Sequence, residues 1–257
     1  MSGHAPFATD KTLRSRFECK YLIPKGMAEE IRRFTRPYLD LDFFSARAPK
    51  HRYPVHSLYL DGPANELYET TIQGMKNRFK LRIRGYDGNP DSPLFAEVKR
   101  RADRVILKRR TLISRPAARA LLAGHPLPER EATQGTEFAE FRSLYARVGA
   151  RPSVYVSYLR EAYEAVGAEP ARMTFDTHLH NASPDPESPF AFEGKDWEET
   201  PVDQVILELK FTDACPAWVE RMIQQFQLAR CSVAKYILCL DANLGRHPQT
   251  HMLRNHG

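Results

Sequence analysis

Basic side chains recur at every second position in the stretch 78–110. Successive side chains of a β-strand point to opposite faces, so residues two apart share a face. The stretch predicts three strands with one apolar and one charged face each, and the charged faces comprise Lys80, Arg82, Arg84, Glu97, Lys99, Arg104, Lys108 and Arg110. Arginine binds phosphate through two parallel hydrogen bonds, so these faces indicate an anion-binding site. An ordinary meander with its charged face in water is the alternative interpretation.

The same alternation returns far from this stretch, at 14–23, 153–163, 172–180 and 205–211. The charged faces there contain Arg16, Glu18, Lys20, Tyr158, Arg160, Arg172, Glu208 and Lys210, and Lys235 lies in a mostly apolar stretch, 231–240. An open sheet would leave so regular a basic face in water. A closed barrel of about eight strands could instead turn it inward and hold one small ligand.

The elements between the strands read mostly as helices that could cover such a barrel. Apolar spacing and turn residues predict one more strand at 55–61 and helices at 25–38, 65–74, 116–123, 136–148 and 217–228. We therefore predict an α+β fold, a closed antiparallel eight-stranded β-barrel with helices packed outside. Its domain would span 13–244, between a flexible N-terminus, 1–12, and a flexible C-terminal tail, 245–257.

A basic interior restricts the ligand. Like charges buried without partners are costly, so the interior would need an anion or abundant water. A polyphosphate chain with a divalent metal suits many Arg and Lys side chains and a few carboxylates, because the cations bind phosphoryl oxygens and Glu binds Mg²⁺ or Mn²⁺. The sequence contains no Walker A motif, so phosphate binding would depend on side chains.

The composition agrees with a globular protein that binds an anion. The chain has 257 residues, a formal net charge of +6 and 42% hydrophobic residues. There is no run of about 18 apolar residues and no apolar segment of a secretory signal at the N-terminus. The four cysteines form no CxxC pair, which argues against a zinc site. We therefore expect a cytoplasmic protein with reduced cysteines.

Taken together, the charged motifs resemble those of the VTC domain, the catalytic domain of the vacuolar transporter chaperone polyphosphate polymerase. This family belongs to the triphosphate tunnel metalloenzymes, with the CYTH phosphatases and adenylate cyclases. The matching motifs are Arg16-x-Glu18-x-Lys20-Tyr21, Leu81-Arg82-x-Arg84-x-Tyr86, Glu97-x-Lys99, Tyr158-x-Arg160, Arg172-x-Thr174-x-Asp176, Glu208-x-Lys210-Phe211 and Lys235-Tyr236. Each motif alone is weak, whereas their order and spacing over about residues 13–242 are specific.

The resemblance implies transfer of the terminal phosphoryl group of ATP to a growing polyphosphate chain, with Mn²⁺ or Mg²⁺, inside an eight-stranded tunnel. It implies catalytic roles for Arg82, Arg84, Arg160 and Lys210. Binding of ATP and polyphosphate (or of triphosphate or pyrophosphate) would involve Lys20, Arg82, Arg84, Lys99, Lys108, Tyr158, Arg160, Arg172, Lys210 and Lys235. The implied metal ligands are Glu208, Glu18 and Glu97. The resemblance also leaves room for a membrane-associated partner.

Two departures from the family pattern keep other functions open. Ala234 stands where the family has Ser before the Lys-Tyr pair, and Ser232 stands where it has a basic residue three before that Lys, for which Arg230 could substitute. In addition, Arg16 replaces the first Glu of the ExExK motif of the phosphatase branch. The second departure argues against an inorganic triphosphatase, and the first keeps a non-catalytic polyphosphate-binding module as an alternative. A nucleic-acid-binding protein is the fourth interpretation. It fits less well, since the basic residues keep a regular phase over many strands.

Overall fold

The computed structural model describes residues 16–89, 91–103, 105–128, 135–167, 170–187, 189–190, 192 and 195–247. The predicted flexible N-terminus, most of the predicted tail and Arg104 lie outside these residues. The proposed domain limits therefore stay a prediction.

Strands occupy nearly all the stretches in which charged and apolar residues alternate. They are β1 (Arg16–Ile23), β2 (Leu39–Leu41), β3 (Tyr53–Asp61), β4 (Asn77–Gly85), β5 (Leu94–Ala102), β6 (Val105–Ile113), β7 (Arg151–Ala165), β8 (Ala171–Ala182), β9 (Glu198–Glu199) and β10 (Val205–Thr212). The eight strands predicted from the sequence are confirmed, most with longer limits. The short β2 and β9 were not predicted.

Seven α-helices lie between or after these strands in the part of the chain that the structure describes. They are α1 (Lys25–Thr35), α2 (Phe43–Arg47), α3 (Glu66–Ile72), α4 (Arg115–Leu122), α5 (Thr136–Arg147), α6 (Ala217–Gln225) and α7 (Lys235–Asn243). The five predicted helices are confirmed, whereas α2 and α7 were not predicted. Ser114 begins α4 by accepting a hydrogen bond from the backbone of Ala117. None of these helices combines the length and hydropathy that crossing a membrane requires.

All strand pairs are antiparallel, and eight strands follow the order β1-β10-β8-β7-β3-β4-β5-β6. The class prediction, α+β with a large antiparallel sheet, is confirmed. No backbone ladder joins β1 to β6 within the described ranges. The predicted closure of the barrel by hydrogen bonds is therefore not confirmed.

The apolar face of this sheet packs against helices. Leu58, Leu81 and Ile83 pack into one apolar cluster with Phe138 and Phe141 of α5. A second cluster joins β1, β8 and β10 to α1 and α6. Burial of these side chains stabilises the sheet and forces the alternate residues, the charged ones, onto the opposite face.

Helix α7 packs against the charged face of the sheet, beside β3 and β7. Its Tyr236 ring stacks on Tyr59, with ring centroids 4.8 Å apart, and the Tyr236 hydroxyl donates a hydrogen bond to the buried Asp61. Leu238 and Cys239 of α7 are buried with Val154 and Val156 of β7. This helix thus fills part of the space that the curved sheet surrounds and leaves the rest as a cavity.

Candidate functional site

The charged face lines a cavity of about 2460 Å³. Twelve of the thirteen residues predicted for the site lie in its wall, namely Glu18, Lys20, Arg82, Arg84, Lys99, Lys108, Tyr158, Arg160, Arg172, Glu208, Lys210 and Lys235. They come from β1, β4, β5, β6, β7, β8, β10 and α7. The structure thus brings together residues that are up to 217 positions apart in the sequence.

Glu97, the thirteenth predicted residue, lies behind this wall with only 1% of its side chain exposed. Its carboxylate contacts Arg82 at 2.5 Å, Lys108 at 2.9 Å, Arg110 at 3.5 Å and Arg84 at 3.9 Å. Burial would raise the pKa of Glu97, but Arg82 and Arg84 hold it well below its usual value. A carboxylate held by four cations fits a residue that positions them, and its role as a metal ligand stays a prediction.

Asp176 has the same relation to the opposite side of the cavity. It accepts hydrogen bonds from Arg160 at 2.7 and 2.8 Å, and Lys235 of α7 lies 2.6 Å from its second oxygen. Asp176 is fully buried, and although burial would raise its pKa, Arg160 and Lys235 lower it. The Arg84 guanidinium lies 3.5 Å from the hydroxyl of Tyr158. This contact connects the side of the cavity around Glu97 with the side around Asp176.

Sequence reasoning placed Asp176 in a motif but gave it no role. The alternation put Asp176 on the same face as Arg172, which was the available signal. The missing information was register: Asp176 lies directly opposite Arg160 on β7. Arg172 itself pairs with Asp42, at 2.7 Å, and with Glu164.

Two carboxylates reach the cavity from the neighbouring strands β1 and β10. Glu18 lies beside Lys20 at 3.3 Å and Lys99 at 2.7 Å, and Glu208 beside Lys210 at 2.6 Å. Burial would raise the pKa of Glu18, but Lys20 lowers it, to about 2. The pKa of Glu208 is held well below its usual value against the effect of burial, mainly by Lys210 and Lys20. Both groups are therefore carboxylates at neutral pH.

This donor set fits a divalent metal that also binds substrate. Glu18 and Glu208 are close enough for the negative charge of one to raise the pKa of the other. The described part of the chain contains no group of three or more His, Cys, Asp or Glu side chains that could hold a metal alone. Mg²⁺ typically binds to one or two carboxylates together with substrate phosphates, and Glu18 with Glu208 fits that pattern.

Lys80 is a cavity residue that the sequence put on the basic face but that was not predicted as a ligand. It has no ion-pair partner among the residues that the structure describes, and burial together with Lys20 and Lys99 lowers its pKa well below the usual value. Lys108 has a pKa lowered to about 7, by burial and by Arg82 and Arg84, against the opposing effect of Glu97. Lys108 therefore carries only part of its charge at neutral pH, and Lys80 loses its proton at a lower pH than an ordinary lysine.

The segment 230–234, which precedes α7, contains the residues that depart from the VTC motif. The backbone of Cys231 donates a hydrogen bond to the carbonyl oxygen of Lys20, at 2.9 Å, and the amine of Lys20 donates to the carbonyl oxygen of Val233, at 3.0 Å. Arg230 and Ser232 both line the cavity. A basic and a hydroxyl side chain are thus present there despite Ala234.

Comparison with known proteins identifies one family for this chain. The sequence matches the VTC domain family over residues 15–243. Comparison with curated proteins finds no match. Among solved structures, a candidate adenylate cyclase of Bacillus halodurans is 13% identical with a TM-score of 0.49, over 86% of this chain and 94% of that one.

A Hippeastrum candidate adenylyl cyclase, described as having a dominant triphosphatase activity, is also 13% identical with a TM-score of 0.49, over 90% of this chain and 97% of that one. Similarity at this level assigns neither a fold nor a function to this chain. The family match is different, because it includes every strand and helix described above. The chain belongs to the VTC domain family.

Proposed function

We propose that the protein is a metal-dependent polyphosphate polymerase, which transfers the terminal phosphoryl group of ATP to a polyphosphate chain in the basic cavity. The observation that carries this proposal is the composition of the cavity wall. Its cations outnumber its carboxylates, and Glu97 and Asp176 hold six of them at fixed positions, namely Arg82, Arg84, Lys108, Arg110, Arg160 and Lys235. A linear polyanion satisfies such a wall better than a single compact anion does.

Phosphoryl transfer requires mainly positioning and charge neutralisation from the protein. A terminal oxygen of the polyphosphate chain attacks the γ-phosphorus of ATP, and the bond between that phosphorus and the β–γ bridging oxygen breaks. ADP leaves, and the chain gains one phosphoryl unit. Arg82, Arg84 and Arg160 bind the phosphoryl oxygens and stabilise the charge that moves to the leaving group. Lys210 and Lys235 complete the set from β10 and α7.

The family implies a metal, and Glu18 with Glu208 would hold it. Bound Mg²⁺ or Mn²⁺ would neutralise charge on the phosphoryl oxygens. Lys20 and Lys99 hold the Glu18 carboxylate, and Lys210 holds that of Glu208, so these amines orient the two donors in the free protein.

We also propose that side chains complete the ring that the backbone ladder leaves open. The amine of Lys99 on β5 donates hydrogen bonds to both oxygens of Glu18 on β1, at 2.7 and 2.9 Å. The two strands lie near opposite ends of the sheet order. This contact supports a tunnel surrounded on all sides. A cytoplasmic location and a membrane-associated partner are separate parts of the proposal, which follow from the family resemblance and the reduced cysteines.

Hydrolysis of triphosphate is the second candidate function. The pair Glu18 and Glu208 favours it, because a metal at two carboxylates can also activate water. The polymerase and the hydrolase would use the same cations and differ in the nucleophile, which is a polyphosphate oxygen in the first and water in the second. The products, longer polyphosphate or free phosphate, therefore distinguish the two functions.

The test is incubation of the purified protein with ATP and Mn²⁺, followed by a gel that resolves polyphosphate. Arg82→Ala removes a phosphate ligand, and Arg109→Ala is the matched control. Arg109 lies one residue from Lys108 but faces outward, where it pairs with Glu140 at 3.2 Å. We expect a polyphosphate ladder from the wild type and Arg109→Ala, and none from Arg82→Ala.

Free phosphate without a ladder would replace the polymerase by a triphosphatase. Absence of any reaction, with tight polyphosphate binding that Arg82→Ala abolishes, would identify a binding module. An equal ladder from all three proteins would contradict a role for the cavity.

A further inference from the structure

Two adjacent phenylalanines are exposed at the edge of the cavity. Phe43 and Phe44 of α2 are 53% and 51% exposed, and both line the cavity together with Arg47. Exposure of two neighbouring aromatic rings costs solvation free energy. Aromatic rings do not bind phosphate oxygens, whereas the Lys and Arg side chains of the cavity wall can. The two rings therefore suit a different part of a ligand.

The segment that carries the two rings is firmly attached to the phosphate-binding wall. Asp42 precedes them, caps α2 by accepting a hydrogen bond from the backbone of Ser45 at 2.7 Å, and pairs with Arg172 at 2.7 Å. The Ser45 hydroxyl in turn accepts a hydrogen bond from the backbone of Ala162 on β7, at 2.9 Å. The aromatic pair is therefore held next to a phosphate ligand.

Aromatic contacts continue from α2 into the cavity. The ring centroids of Phe43 and Phe44 are 5.4 Å apart, and those of Phe44 and Tyr53 are 5.9 Å apart. Tyr53 lies directly opposite Arg160 on the neighbouring strand. The Arg47 guanidinium lies 3.5 Å from the centre of the Phe43 ring, which adds a second planar group.

We propose that Phe43, Phe44 and Arg47 form a stacking platform for the base of a nucleoside triphosphate whose phosphates contact Arg172 and Arg160. Planar bases stack on aromatic rings and on arginine guanidinium groups, and such stacking tolerates different bases. The inference rests on the proposed function, because it assumes that the phosphoryl donor is a nucleotide. The base of the nucleotide would then occupy a subsite separate from the basic cavity wall. An inorganic polyphosphate has no base and would leave this subsite empty.

The test compares ATP with inorganic tripolyphosphate. The double variant Phe43→Ala, Phe44→Ala removes the platform, and Leu112→Ala removes a similarly exposed apolar side chain, 48% exposed on β6, that lies outside the cavity wall. Isothermal titration with each ligand in Mn²⁺ gives the affinities. We expect the Kd for ATP to rise about tenfold or more in the double variant. The Kd for tripolyphosphate should stay within about twofold, and Leu112→Ala should change neither.

Equal weakening of both ligands, or no change in either, would overturn the platform. A second measurement does not depend on loss of binding: Phe44→Trp should show tryptophan fluorescence that ATP quenches and tripolyphosphate does not. Equal quenching by both ligands would also overturn the inference.

The results separate this inference from the proposed function. A polyphosphate ladder from the wild type with unchanged ATP affinity in the double variant rejects the platform and keeps the polymerase. ATP binding that depends on the two rings, without any ladder, keeps the platform and rejects the polymerase.

Discussion

Glu18 on β1 accepts two hydrogen bonds from the amine of Lys99 on β5, at 2.7 and 2.9 Å, although no backbone ladder joins the two ends of the described sheet. The contact joins parts of the sequence that are 81 residues apart. It shows that the sheet curves far enough for β1, at one end of the sheet order, to contact β5, near the other end, through side chains.

Glu18→Gln should weaken this contact. The Lys99 side chain is 34% exposed, so solvent screens the pair, and we expect a loss of about 1 kcal/mol in the free energy of unfolding. Urea titration measures it, with Glu140→Gln on the outer surface as the control. The folded-state pKa of Glu18 is lowered to about 2, so its contribution is present above about pH 4.5 and is lost as the pH falls towards 2. Wild-type and Glu18→Gln stabilities that differ equally at pH 7 and pH 2 would contradict this account.

Glu97→Gln should be far more destabilising, because it leaves four cations around a buried neutral amide. Removal of one partner from a buried charge cluster costs about 3–5 kcal/mol. Tripolyphosphate should restore part of the loss, since the bound anion supplies the missing negative charge. Thermal unfolding with and without tripolyphosphate measures this, and a larger rise in Tm for the wild type than for Glu97→Gln would contradict the positioning role.

Asp176→Asn should impair activity as well as stability, because Asp176 is as buried as Glu97 and pairs with two cations. Arg160 and Lys235 would lose the carboxylate that fixes both, and a misplacement of about 1 Å can lower a rate about 100-fold. Steady-state assays of kcat/KM, beside thermal unfolding, check the expected 100-fold decrease. Asp185→Asn, which changes a carboxylate 45% exposed on the surface, is the control. Activity within about threefold of the wild type would show that Arg160 and Lys235 need no counter-ion.

Binding of tripolyphosphate should be coupled to proton uptake. The pKa of Lys108 is lowered to about 7, so part of its charge is absent in the free protein above pH 7. The pKa of Lys80 is lowered well below its usual value, so this amine also loses its proton more readily than an ordinary lysine. A bound polyanion favours the protonated amines, and affinity should therefore rise as the pH falls from about 9 towards 7. Titration calorimetry in buffers of different ionisation enthalpy counts the protons. Lys80→Met should take up fewer, and equal uptake by both proteins would exclude Lys80 as a proton acceptor.

The sequence predicted which residues line the cavity better than it predicted their ion-pair partners, the short helices and the curvature of the sheet. Alternation is a local property, so Arg82, Arg84 and Arg160 could be assigned to one face without the structure. The partners of these residues depend on register between distant strands, which is why Asp176 received no role. Helix α2 was missed because five residues are too few for helical periodicity, and α7 because its nearly uniform apolar sequence shows no preferred face. Curvature, which decides whether β1 meets β5, has no local signal.

Lys235 and Tyr236 are consecutive residues with different tasks. Lys235 lines the cavity and pairs with Asp176, whereas Tyr236 anchors α7 to Asp61 of β3. Release of α7 therefore also removes Lys235, a proposed substrate ligand, from the cavity wall. By thermodynamic linkage, we expect bound tripolyphosphate to slow amide hydrogen exchange in α7. Amide hydrogen exchange in α7 is thus expected to report whether the cavity is occupied.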